Sequence, residues 1–217
     1  MTATLVRGFG LLSVLAFGAT PAPGQELMLP GGPFEASALP LNASGRWLAL
    51  VEAQGSNLAP VTVTIGSALE ECTGTPGAAR TVRATGTEPV ALFRRVAGLR
   101  AGSVPTGTID PAGGWREPRS GEFDGKPFTL SEVHAGEGFR LHYSWAGHGG
   151  TVFEAEVEDE GHWDLLWLGD LNRDGWPDLL LQADWKYSVR TTRLLLSRVR
   201  HGRWVVEEVA SFGITAC

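Results

Sequence analysis

Asp170, Asn172, Asp174 and Asp178 fall within nine positions of "GDLNRDGWPDLLL" (169–181), with Gly175 among them and an apolar run directly behind. Carboxylates this close repel one another, and burying them costs more still unless a cation or hydrogen-bond donors compensate. Counted from Asp170, side-chain oxygens stand at positions one, three, five and nine, and the carbonyl of Trp176 falls at seven. Hard oxygen donors at alternate positions round a tight turn suit Ca²⁺, which accepts irregular shells of about 6–8 oxygens, better than Mg²⁺. Asp, Asn and Gly also favour a metal-free turn, but turn chemistry alone does not ask for an acid at position nine.

The helix-loop-helix calcium hand requires a bidentate Glu at position twelve, where this chain has Leu181. Strand patterns flank the loop on both sides, which excludes that motif. Gly169, Asp170, Asn172, Asp174, Gly175, Pro177, Asp178 and Leu179 to Leu181 instead resemble the calcium loop of FG-GAP or VCBS-type repeats. Those repeats form blades of β-propellers, with the ion in a hairpin loop. The resemblance covers residues 163–198 and implies side-chain ligands at Asp170, Asn172, Asp174 and Asp178 and a backbone ligand at Trp176. A propeller repeats its blade at least four times, and this chain shows one copy. One blade-like hairpin inside a larger β domain is therefore expected, and a full propeller is not.

The elements that must position the loop read as strands. "RWLALVEA" and "LAPVTVTI" flank the turn residues "QGSN", and Val61, Val63 and Ile65 alternate with Thr62 and Thr64. This period of two predicts a hairpin with one wet face. In 139–157, Phe139, Leu141, Tyr143 and Trp145 alternate with Arg140, His142 and Ser144 before "AGHGG". Placing Trp145 opposite Thr151 sets His142 against Glu154 and Arg140 against Glu156, so that opposite charges pair on the wet face. From 163 onward the strand patterns are apolar on both faces. The expected fold class is all-β, with antiparallel hairpins in a sandwich or irregular β domain. Its expected bounds are 46–217, preceded by a flexible lead-in at 25–45.

Residues 1–24 carry Arg7, an apolar stretch too short to span a bilayer, and small residues before Gln25, the pattern of a signal peptide. The expected location is periplasmic or extracellular. An oxidising compartment predicts a disulfide between Cys72 and Cys217, whose long loop would contribute about 4–5 kcal/mol in the chain-entropy model. The whole chain has a formal charge of −6, and the leader removes one arginine and no acid. An acidic chain without basic clusters is a poor ligand for nucleic acid or anionic lipid, and no later segment is long and apolar enough for a membrane span.

Three function classes follow. First is a non-catalytic exported domain whose structural calcium fixes a hairpin and presents a surface for protein or glycan contact. Second is a glycan-binding module, with Trp115, Trp176 and Trp185 in turn-like segments where indoles stack on sugar rings. An exported hydrolase is the third, and it lacks support: the chain has no G-x-S-x-G, no H-E-x-x-H and no phosphate-cradling glycine loop.

Overall fold

The computed structural model describes residues 24–53, 55–70, 74–111, 116–156, 160–186, 188–200 and 203–215. Residues 1–23 of the leader, and Cys72 and Cys217, lie outside them. The fold is all-β and antiparallel, interrupted by a single-turn 3-10 segment at Ala36–Ala38. No helix among the described residues is long and apolar enough to cross a membrane, which leaves β-barrel spanning unaddressed.

Three sheets carry the core. The first joins β1 (Glu26–Met28), β6 (Ala91–Arg94), β3 (Gly45–Glu52), β4 (Ser56–Leu69), β5 (Pro76–Ala84) and β2 (Gly31–Glu35) in that order, with β7 (Gly102–Ser103) paired to β4. The second is a meander of β8 (Thr108–Ile109), β9 (Arg119–Phe123), β10 (Lys126–Ala135), β11 (Gly138–Trp145) and β12 (His148–Ala155). The third is a four-stranded meander of β13 (Glu160–Gly169), β14 (Asp178–Lys186), β15 (Val189–Arg200) and β16 (Arg203–Thr215). It has the strand order of one propeller blade, and no closed propeller surrounds it.

The third sheet is the middle layer. Trp167, Leu180, Leu194 and Leu196 join the hydrophobic cluster of the first sheet, whereas Trp163, Leu165, Leu179, Leu181 and Leu195 join that of the second. Alternate side chains point to opposite faces, so a strand buried on both must be apolar at every position. This accounts for the runs Leu179 to Leu181 and Leu194 to Leu196. A bulge between Leu165 and Trp167 turns Leu166 and Trp167 together toward the first sheet.

Two expectations need correction. Residues 25–45 are no loose lead-in, for β1 pairs with β6, β2 pairs with β5, and Leu27 and Met28 are 1% and 0% exposed. Their partners lie far along the chain, so local composition did not reveal them. The 139–157 hairpin also has a different register. Its turn is two residues, Ala146 (φ 51°) and Gly147 (φ 80°), and Trp145 faces His148. Arg140 therefore faces Glu154, 2.6 Å away, and a bulge after Leu141 sets His142 opposite Thr151. Charges still pair on the wet face, with different partners.

Candidate functional site

The acidic loop spans residues 170–177 between β13 and β14, closed by the pair Gly169↔Asp178. Gly169 has no room for a side chain: an added Cβ would lie 2.4 Å from the Pro105 carbonyl oxygen and 2.5 Å from the Trp167 ring. Leu171, fully buried, anchors the loop to the core on the side of the first sheet.

The polar side chains then fold back on the backbone. Asp170, 3% exposed, accepts the N–H of Asp174 on Oδ1 at 3.0 Å and that of Gly175 on Oδ2 at 2.8 Å. Asn172 Oδ1 also accepts the Asp174 N–H at 3.0 Å, while its Nδ2 donates to Asp174 Oδ2 at 3.0 Å. Asp174 Oδ1 accepts the Trp176 N–H at 3.0 Å. Asp178 is 0% exposed: Oδ2 accepts the N–H groups of Leu171 (2.8 Å) and Asn172 (3.3 Å), and Oδ1 that of Ser197 on β15 (2.7 Å). The loop is thereby stitched to its own bend and to the neighbouring strand. Gly175, at φ 89°, occupies the left-handed conformation the bend requires.

Burial pushes the Asp178 carboxyl well above its ordinary pKa, and the charges of Asp174 and Asp170 push the same way against the N–H groups of Ser197 and Leu171. Asp174 is raised too, first by burial and then by Asp170, against the Trp176 N–H, Asn172 and Arg198. Arg173, the loop's one basic residue, points elsewhere. Its guanidinium donates to the carbonyls of Ser103, Arg100 and Gly102 at 2.9, 3.0 and 2.8 Å, clamping the loop to the β6–β8 connection.

The four predicted side chains and the Trp176 backbone thus share one loop. Their donor chemistry suits a hard cation, and every hydrogen-bonded carboxylate oxygen except Asp178 Oδ2, which accepts two N–H groups, retains a second lone pair. Among the described residues, however, no three carboxylates, imidazoles or thiolates are gathered so as to hold a metal ion. The loop's side-chain oxygens accept amide N–H groups, and Asp170 Oδ1 and Asn172 Oδ1 share that of Asp174.

An aromatic cluster beside the loop escaped the sequence analysis. Trp176 and Trp204, both half-buried, stack at 5.2 Å with a 26° interplanar angle, over buried Trp145 and Tyr143. Exposed His148 stands 5.1 Å from Trp176 and 5.7 Å from Trp204. These rings come from β11, β12, the acidic loop and β16, so no local pattern announces them. Of the other tryptophans singled out for glycan contact, Trp115 lies outside the described residues and Trp185 belongs to β14.

One buried acid lies apart from both features. Asp184 is 1% exposed; Oδ1 accepts the Thr191 N–H at 2.7 Å and Oδ2 has no hydrogen-bond partner among the described residues. Burial raises its pKa against the hydrogen bonds of Thr191 and the charges of Arg193 and His162. An acid raised in this way binds its proton more tightly folded than unfolded. Its contribution to stability therefore falls as pH climbs from the ordinary carboxylate range, near 4, through the raised value. Relative to the native chain, Asp184→Asn should gain stability between pH 4 and pH 7, measured as urea midpoints. An equal difference at both pH values would refute this.

Compared with known proteins, the chain matches no family model, no curated protein and no solved structure. The likeness to a propeller calcium loop rests on the residues of that loop alone.

Proposed function

We propose that this chain is an exported, non-catalytic β domain that works by binding, with the 170–178 loop holding Ca²⁺ as a structural ion. The observation that supports this is one of charge. Asp170 and Asp178 are buried at the same bend that carries exposed Asp174, their hydrogen-bond donors are mainly backbone amides, and the loop's own arginine is engaged elsewhere. Amides relieve part of the desolvation cost and leave the mutual repulsion. A divalent cation would relieve both, on Asp170, Asn172, Asp174, Asp178 and the Trp176 carbonyl. Asp174 is exposed and Asn172 half-buried, so these two side chains have room to turn from the backbone toward an ion.

Extracellular calcium modules bind at about 10⁻⁴–10⁻³ M, so the ion would join the fold after export. At about 100-fold excess over the dissociation constant, mass action adds about 2.7 kcal/mol. For a domain of this size the melting midpoint should rise by roughly 5–10 °C in Ca²⁺ relative to chelator. Asp174→Ala should abolish the rise. A native midpoint that ignores calcium would remove the proposal.

A further inference from the structure

We propose that the Trp176–Trp204 pair and His148 form a saccharide-binding site on which uncharged pyranose rings stack. This goes beyond the calcium reading and does not need it. The rings are built as two tiers. The floor is held rigidly, with Trp145 donating its indole N–H to the Phe123 carbonyl at 3.0 Å and Tyr143 standing edge-on to Trp204 at 4.7 Å. Above it lie the half-buried indoles and the exposed imidazole. A surface whose rings are already fixed loses little conformational freedom when a ligand arrives.

The chemistry of the rim selects the ligand. A pyranose presents an apolar C–H face ringed by hydroxyls, which calls for aromatic faces bordered by hydrogen-bonding groups. His148 supplies a donor and an acceptor, and Lys126, whose side chain is 48% exposed, supplies ammonium donors. Gly147 and exposed Gly149, beside His148, leave the rim low. Lys126 Nζ sits 4.9 Å from the centre of the Trp145 ring and 3.3 Å from Asp124 Oδ2, so the charge at this edge is already balanced, which favours an uncharged guest. The acidic chain disfavours polyphosphate ligands, whose stacking bases would otherwise compete.

Native gels containing soluble β-1,4-glucan, β-1,3-glucan, xylan, α-glucan or galactomannan, and sedimentation with chitin and peptidoglycan, test the site on the full chain without its leader. At least one polysaccharide should retain the protein. Trp176→Ala and His148→Ala should each weaken retention about ten-fold, while Arg140→Ala, on the exposed face of β11, leaves it unchanged. Trp176→Ala keeps the backbone carbonyl at 176, so it separates this site from the ion site. Urea midpoints check that each variant is folded. No retention on any of these polymers, or retention that both folded variants keep in full, overturns the proposal.

Discussion

Trp167→Ala should lower the unfolding free energy by about 3–5 kcal/mol, the range for truncating a large buried aromatic residue. Trp167 is 1% exposed and fills the interface between the first and third sheets. Its indole N–H donates to the hydroxyl of Ser56 at 3.2 Å, and Ser56 is itself only 5% exposed. Truncation therefore opens a cavity and also strips a buried hydroxyl of its donor, and both effects have the same sign. Urea unfolding should show a lower midpoint at unchanged slope. Val199→Ala, at a side chain 57% exposed, should stay within about 0.5 kcal/mol. A loss at Trp167 no larger than at Val199 would mean that the two sheets do not pack as described.

That interface also shows what a sequence can and cannot disclose. The period-two pattern of Phe139, Leu141, Tyr143 and Trp145 identified the dry face of β11, because each strand position is buried or wet by parity. Leucine runs at 179–181 and 194–196 identified strands covered on both sides. What covers them was not legible, since sheet order depends on contacts between distant segments, such as β1 with β6. The 139–157 register failed for a local reason. Ala146 adopts a positive φ that alanine seldom takes, so "AGHGG" looked like a five-residue loop while the chain turned on two residues.

The candidate sites divide in the same way. Carboxylate spacing placed Asp170, Asn172, Asp174 and Asp178 on one bend, because nine consecutive residues cannot lie far apart. Spacing could not say which way the oxygens point. Asp178 turns to Ser197 of β15, and Arg173 turns to carbonyls some seventy residues earlier. The aromatic cluster was invisible for a related reason: Trp145, Trp176 and Trp204 meet only after two sheets have packed.

Asp178→Ala should cost about 3–5 kcal/mol even in chelator, because it removes the acceptor of three backbone N–H groups from a residue with no exposed surface. Asp178→Asn should cost less, since it keeps one carbonyl oxygen and sheds a charge whose burial is unfavourable. The same pair measured in calcium separates structure from ion binding. If the loop holds the ion, the native chain gains about 2–3 kcal/mol that Asp178→Ala cannot gain, and the gap between them widens by that amount. If the gap is the same in calcium and in chelator, Asp178 acts only as the hydrogen-bond hub of a metal-free turn. The hub role rests on three backbone hydrogen bonds and survives either outcome, whereas the ion's role depends on the carboxylates turning from the amides to a shared centre.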